Sequence, residues 1–249
     1  MHKLILELIR LYLAPDTAPD RLAPRISGHD SSAIDLADAD GNVRAIHLPF
    51  RKIRNGDEAQ HWTLLCEVAN ALQTGMDFPA PAVSVSGSDG YGLWLSLVTP
   101  IPAALAQEFV ALLKLAYFPD VKMAVEPPTT QVLLPPCVHP QTGKWAAFIH
   151  PGMGASFADD SGLEMAPPLS GQVGFLESLQ SIDDDQFAQA LALLRSKHGG
   201  AVAPLLAVSA AAPVTAPAGL LLRDATVEDI VAFLHAKNIE PTLRYLIKP

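Results

Sequence analysis

Hydrophobic positions along the chain change their spacing several times, and each spacing predicts a type of element. Apolar residues at helical intervals predict four helices in the first 197 residues, at 1–13, 57–74, 102–115 and 183–194. Short apolar runs predict strands at 32–36, 43–50, 82–85, 93–98, 121–125, 131–134 and 145–149. Helices that alternate with hairpin-like pairs of strands predict an α+β fold.

Turn-forming residues separate these elements. Asp40 and Gly41 lie between two strand-like runs, which predicts a hairpin. Gly75 is expected to end the second helix. Two stretches rich in Pro, Gly, Asp or Ser, residues 14–24 and 151–172, are predicted to be loops.

The last fifty residues differ in composition from the rest. Residues 198–222 are dominated by Ala, Pro, Val, Leu and Gly, which predicts a linker between a main domain at 1–197 and a small helical module at 223–249. The apolar stripe of that module is too small to form a strong core alone. The stripe must be covered either by the main domain or by a partner, and we expect a protein partner to bind residues 223–247.

The charge balance limits the classes of partner. The 249 residues carry a net charge of −9, with a pI near 5.2, which argues against a general nucleic-acid coat. The acidic excess is uneven, because residues 145–194 contain no Lys or Arg, whereas acidic and basic residues nearly balance over 42–157. A small basic group could meet phosphate or could be a solvated face; it comprises Arg44, Arg51, Lys52 and Arg54.

Location signals are few. No apolar run reaches the ~18 residues that a membrane span needs. Glu7 and Arg10 interrupt the apolar start of the chain, and no small-residue cleavage site follows, so a signal peptide is not expected. The two cysteines, Cys66 and Cys137, form no metal motif. We expect a cytoplasmic protein without a membrane partner.

The first candidate site is the Ser-Gly-rich turn between the strands at 82–85 and 93–98. Gly87 and Gly90 permit backbone conformations that can aim N–H groups at an anion, and Ser86 and Ser88 add hydroxyl donors. Tyr91 is a candidate for stacking on a base. The alternative is an ordinary hairpin loop, because Gly, Ser and Asp are common in turns.

The second candidate site is the stretch Cys-Val-His-Pro-Gln-Thr-Gly-Lys at 137–144. His139 precedes a proline and so favours an extended backbone, while Thr142 and Gly143 form the bend. Lys144 then supplies a cation where a phosphate could lie. The alternative is a strand–turn–strand with a surface histidine.

In this order, the two turns resemble the nucleotide-binding core of the archaeo-eukaryotic primase superfamily. That family has a Ser-Gly-x-x-Gly-x-His turn and a later His-Pro-x-Thr-Gly-basic turn, and the resemblance covers about residues 43–150, including 100–106 and 126–131. It implies a primase-type, RRM-like sandwich of antiparallel or mixed sheet with helices. It also implies that the nucleotide is contacted by Ser86, Gly87, Gly90, His139, Thr142, Gly143 and Lys144.

The chain departs from the family where catalysis would need it most. Gly92 stands in place of the histidine of the first turn. The family's paired metal-binding aspartates have no counterpart on the strand at 44–52, where His47, Pro49 and Arg51 occupy the plausible positions. Polymerisation would need Mg²⁺ or Mn²⁺ held by carboxylates, so we expect no cofactor, and either ion only if the chain is an active polymerase.

Two acids at family-like spacing, Asp38 and Asp40, are candidates for relocated ligands, and Glu126 is a candidate surviving acid. The preferred hypothesis is a non-catalytic, primase-like protein of a replication or mobile-element system that binds a nucleotide or single-stranded nucleic acid. The alternatives are an active DNA primase–polymerase with displaced carboxylates and a scaffold for protein contacts.

Overall fold

The computed structural model describes residues 1–52, 59–117 and 130–197. The described helices are α1 (His2–Tyr12), α2 (Ala23–Ile26), α3 (Gln60–Met76), α4 (Ala103–Tyr117), α5 (Leu169–Glu177) and α6 (Asp184–Lys197). The described strands are β1 (Ile34–Asp35), β2 (Asn42–Arg51), β3 (Ala82–Val85), β4 (Gly90–Pro102), β5 (Gln131–Val132), β6 (Cys137–Val138) and β7 (Trp145–Ile149). The predicted α+β fold is confirmed.

Five strands form the main sheet. Their order is β2-β4-β3-β7-β6, and every neighbouring pair is antiparallel. The central strands β3 and β4 are therefore the two strands that flank the first turn. A separate two-stranded sheet pairs β1 with β5. Both candidate turns lie at the same end of the main sheet, because Val85 at the end of β3 pairs with Ala147 near the start of β7.

Helices cover both faces of the main sheet. Tyr91 and Trp94 of β4 lie three residues apart, so their side chains point to opposite faces. The Tyr91 ring contacts Trp62 of α3, with 5.0 Å between ring centroids, whereas Trp94 contacts Tyr12 of α1 at 5.4 Å. Helix α6 contacts α3 and α4, and α5 contacts α1. The core therefore has two apolar layers separated by the sheet.

The first helix shows why the sequence pattern succeeded. Leu4, Leu8 and Leu11 recur at helical intervals and are almost fully buried, while the polar positions between them face solvent. Tyr12 ends the helix inside the core, stacked on Phe148 of β7. The prediction of a helix at 1–13 is confirmed, as are the predictions that became α4, α6 and the four strands β2, β3, β4 and β7.

Helix α5 was missed, because residues 151–172 were predicted to be loop. The prediction is wrong from Leu169 onward, and a short 3₁₀ helix occupies Pro151–Phe157. The reason is tertiary: the buried Gln172 side chain accepts from the backbone N–H of Phe148 and donates to its carbonyl, at 3.0 and 2.9 Å. The spacing of hydrophobic residues cannot predict a hydrogen bond between a side chain and the backbone of a distant strand.

Three further local predictions need correction. Gly75 lies inside α3, which ends at Met76 with Asp77 in the left-handed region (φ 55°). The predicted loop at 14–24 contains a 3₁₀ helix at Pro19–Arg21. The Asp40-Gly41 turn forms, with Gly41 at φ 78°. The hairpin that it closes has only one bridge among the described residues, between Ala37 and Val43 of β2, because the predicted first strand pairs with β5 instead.

Other predictions lie outside the described residues. These are the strand at 121–125, the start of the second helix at 57–58, Glu126, the linker at 198–222 and the helical module at 223–249. Within the described ranges, no helix has both the length and the apolar character that crossing a bilayer requires.

The two buried tyrosines allow a test of the fold. The Tyr12 hydroxyl is buried and has no hydrogen-bond partner among the described residues, whereas the Tyr91 hydroxyl donates to the Gly154 carbonyl at 2.8 Å. We expect Tyr12→Phe to leave the free energy of unfolding within about 1 kcal/mol of wild type, or to raise it, because no hydrogen bond is lost. Tyr91→Phe should cost roughly 1–3 kcal/mol, because the Gly154 carbonyl loses its donor.

Urea unfolding of the two matched variants at neutral pH measures both values. A larger loss of stability for Tyr12→Phe than for Tyr91→Phe would contradict the placement of these rings.

Candidate functional site

A cavity of about 460 Å³ opens beside the first turn, on the sheet face that Trp94 shares. Strands β2, β3 and β4 form its floor, residues 131–135 form one wall, and the second turn forms another. Its described lining is Ala33, His47, Pro49, Arg51, Ser84, Val85, Ser86, Ser88, Asp89, Gly90, Tyr91, Gly92, Trp94, Gln131, Val132, Leu133, Pro135, His139, Pro140 and Gln141.

Alternation along β2 brings its polar positions to the cavity. His47, Pro49 and Arg51 lie two residues apart and so share one face of the strand. Their partners across β4 are Trp94, Gly92 and Gly90, respectively. The positions where the family resemblance places metal ligands therefore do face the cavity, and they present an imidazole, a proline ring and a guanidinium.

The first turn is closed by its own serine. The Ser86 hydroxyl oxygen accepts from the N–H groups of Ser88 and Gly90, both at 3.1 Å, and the Ser86 N–H donates to the Gly90 carbonyl. The Gly87 N–H, with the residue at φ 76°, donates to the Ser161 carbonyl at 2.8 Å. Four N–H groups of the turn that could have formed an anion nest are thus paired within the protein.

The second turn is a tight hairpin between β6 and β7. The His139 N–H donates to the Lys144 carbonyl at 2.8 Å, and the Gly143 N–H donates back to the His139 carbonyl at 3.0 Å. Gly143 has φ 72°, a conformation that favours glycine. The Thr142 hydroxyl oxygen accepts from the Lys144 N–H.

The two turns touch each other. The Thr142 hydroxyl donates to the Gly87 carbonyl at 2.5 Å. A Cβ atom at position 87 would lie 3.0 Å from the His139 Cβ and from the Lys144 carbonyl oxygen, and the φ of 76° strains any other residue, so glycine favours this approach. Ser86 and His139 consequently line one cavity, as the sequence predicted.

Lys144 does not line that cavity. Its ammonium group binds the carboxylates of Asp160 and Glu164, the latter at 3.0 Å. These hydrogen bonds hold the pKa of Lys144 above its usual value. Lys52 likewise pairs with Asp159 at 3.5 Å. The expectation that Lys144 aims its charge at a phosphate is not met by this geometry, because the acidic segment at 159–164 neutralises it.

Tyr91 is also placed differently from its prediction as a stacking residue. It lies in β4 rather than in the turn, and its side chain is 2% exposed. Its ring packs against His61 and Trp62 of α3, so no ring face is open to a base. Burial raises its pKa to about 12.

His47 fills the space that a side chain at position 92 would need. Its ring lies 4.2 Å from that of Trp94, centroid to centroid. A Cβ at Gly92 would lie 2.6 Å from the His47 Nε2, 2.8 Å from the Ser84 hydroxyl and 2.9 Å from the Trp94 Nε1. A histidine at position 92 is therefore incompatible with His47 in this position.

Sequence reasoning missed two groups of the cavity. Ser84 accepts from the Trp94 indole N–H at 2.9 Å and fixes the floor. Asp89, which the sequence predicts only as a turn residue, contributes a carboxylate. A polar residue in the apolar run Ala-Val-Ser-Val at 82–85 was the available signal for Ser84. Asp89 carried no signal, because aspartate is common in turns.

Both histidines of the cavity are held neutral. Burial lowers the pKa of His47 to about 4, and the nearby Arg51 guanidinium acts in the same direction. Burial also lowers the pKa of His139, with Asp89 opposing this shift and Arg51 adding to it. Near pH 7 the charged lining in the described ranges is therefore Arg51 and Asp89.

The lining does not suit a divalent ion. A two-metal site needs several carboxylate oxygens, whereas the described lining of the cavity contains one carboxylate, Asp89, and one guanidinium, Arg51. No group of three or more His, Cys, Asp or Glu residues within the described ranges could hold a metal ion. Neither candidate for a relocated ligand, Asp38 or Asp40, belongs to the described lining. The Asp38 carboxylate instead accepts from the N–H groups of Asp40 and Asn42 and builds the hairpin turn.

No protein-family model matches the chain, and no curated protein matches it either.

His47 predicts a pH dependence of stability. Its native pKa, about 4, lies below the value of about 6.5 expected in the unfolded chain. The unfolded state therefore binds more protons between these values, so stability is complete above about pH 6.5 and falls as the pH drops toward 4. Between pH 7.5 and 5, we expect wild type to lose roughly 1–2 kcal/mol more than His47→Gln.

Urea unfolding at each pH measures this difference. His2→Gln, which removes an exposed imidazole of α1, is the control and should retain the full loss. Equal pH dependence of wild type and His47→Gln would refute the burial of His47 as its cause.

The contact between Gly92 and His47 gives a second test. Gly92→Ala should destabilise the protein by roughly 1–3 kcal/mol, because the new methyl group overlaps His47. Adding His47→Ala should recover part of that cost, so the double variant is less destabilised than the two single losses added together. Gly174→Ala in α5, where a Cβ meets nothing within 4 Å, is the matched control and should be neutral or stabilising. Simple additivity would contradict the predicted contact.

Proposed function

We propose that this chain is a primase-like protein without the metal-binding acidic pair, which binds a nucleotide or single-stranded nucleic acid in the cavity and does not polymerise. The observation that carries the proposal is the cavity itself. Its lining combines Ser86 and His139 from the two family-like turns with His47, Pro49 and Arg51 from the strand where the catalytic acids would lie.

The size and chemistry of the cavity support a small organic ligand. Its volume of about 460 Å³ lies in the range of about 300–1,000 Å³ that is usual for ligand sites. The lining contains both apolar groups such as Leu133 and Pro140 and donors such as Ser88 and Gln141. A lining of that kind suits a ligand that carries both a ring and a phosphate.

Loss of polymerase chemistry follows from the β2 positions. A guanidinium at position 51 repels a divalent ion at the place where carboxylates would have to hold it. The hairpin role of Asp38 removes the specific support for relocated ligands. We place the protein in the cytoplasm, and the partner of residues 223–247 remains part of this proposal.

Fluorescence anisotropy with labelled nucleotides and short single strands, in low salt with EDTA, tests the binding. His139→Ala should weaken binding several-fold to about tenfold, because a half-buried imidazole donor or acceptor contributes about 0.5–1.5 kcal/mol. His29→Ala, at an exposed histidine away from the cavity, should have no effect.

Primer extension with Mg²⁺ or Mn²⁺ tests whether the protein polymerises nucleotides, and we expect no nucleotide to be incorporated. Template-dependent incorporation that disappears in Asp38→Ala or Asp40→Ala would show an active polymerase instead. Absence of binding to every probe would favour the scaffold.

A further inference from the structure

Charge in the cavity restricts the kind of phosphate that it can hold. Near pH 7 the charged side chains of its described lining are one guanidinium, Arg51, and one carboxylate, Asp89, because both histidines are neutral. Arg51 is exposed and forms no ion pair with any residue of the described ranges. Within the described ranges, the lining therefore offers one cation outside any ion pair and no net positive charge.

The nearest lysines do not change this balance. Lys52 and Lys144 are paired with the acidic segment at 159–164, outside the lining. In sequence, the two undescribed internal segments, 53–58 and 118–129, each carry one basic residue against two acidic ones, so neither adds net positive charge.

Backbone donors do not compensate for the missing cations. The N–H groups of Gly87, Ser88 and Gly90 are paired with Ser161 and Ser86. A nucleoside triphosphate, which carries three to four negative charges, would need several cations or a metal ion to offset the loss of water. A phosphodiester carries a single negative charge, which one guanidinium can pair with through two parallel hydrogen bonds.

We propose that the cavity binds one phosphodiester-linked unit of a single-stranded nucleic acid, with Arg51 paired to its phosphate, in preference to a nucleoside triphosphate. The proposal rests on the proposed function and names its ligand class. Arg51 lies at the end of β2, at the rim, while the inner floor formed by His47 and Trp94 is uncharged and aromatic. The phosphate therefore lies at the rim, with the base and sugar directed toward the floor.

The experiment uses the full chain and two probes: a fluorescein-labelled, eight-residue single-stranded oligothymidylate, and the corresponding nucleoside triphosphate as competitor, with EDTA and with Mg²⁺. One phosphate contact on a single strand predicts a slope of about −0.7 in log affinity against log salt. Arg51→Gln should remove most of this slope and weaken oligonucleotide binding by about tenfold to a hundredfold. Arg51→Lys should retain the slope.

Two further variants separate charge from structure. Asp89→Asn removes the opposing carboxylate and should strengthen oligonucleotide binding several-fold, an effect that a merely structural role for this residue would not produce. Arg21→Gln, which removes the same charge from an exposed position away from the cavity, should change neither affinity nor slope. Thermal melting confirms that each variant is folded.

Opposite effects of Arg51→Gln and Asp89→Asn, together with weak competition by the triphosphate, are the expected results. Tight, Mg²⁺-dependent triphosphate binding that His139→Ala abolishes and Arg51→Gln leaves intact would overturn the inference while the proposed function stands. Failure of both probes to bind would overturn the proposed function and the inference with it.

Discussion

The contact between the two turns is the constraint on which the cavity depends. The Thr142 hydroxyl reaches the Gly87 carbonyl because Gly87 has no Cβ to strike His139 or the Lys144 carbonyl. The first turn joins β3 to β4 and the second joins β6 to β7, so their contact fixes the position of β6 relative to β3 and β4. The second turn thereby becomes a wall of the cavity rather than a separate surface loop.

The acidic segment at 159–164 packs against both turns and stabilises them. The Ser161 carbonyl accepts from the Gly87 N–H, and Leu163 exchanges two backbone hydrogen bonds with Trp145. The carboxylates of Asp160 and Glu164 then bind the Lys144 ammonium. The same segment thus holds the turns in place. Because it also occupies the Lys144 ammonium and the Gly87 N–H, neither group is available to a phosphate, so the contacts that stabilise the site also lower its positive charge.

Most elements of the main domain were predictable, because α1, α4, α6 and the longer strands depend on local spacing of apolar residues. What failed depends on contacts between distant residues. Helix α5 is fixed by Gln172 bonding to the backbone of β7, and Gly75 stays helical because the cap is formed two residues later, at Asp77. No local pattern reports such contacts.

For the site, the sequence correctly placed Ser86 and His139 together but could not assign side-chain partners. Lys144 carries the expected charge in the expected turn, yet its direction is set by two acids sixteen and twenty residues later. Tyr91 follows the turn in sequence, but strand alternation sends its ring into the α3 layer. The position of a residue in a motif predicts which residues lie near it, whereas the direction of its side chain depends on tertiary packing.

Positions 47 and 92 compete for one volume at the floor of the cavity. The His47 imidazole on β2 lies where a side chain at position 92 on β4 would have to fit, and Ser84 and Trp94 border the same space. A carboxylate at position 47 would lose hydration against the Trp94 indole, although the Arg51 guanidinium is nearby. The floor is therefore built around a neutral aromatic pair, and a side chain at position 92 would require coordinated changes at its neighbours rather than a single substitution.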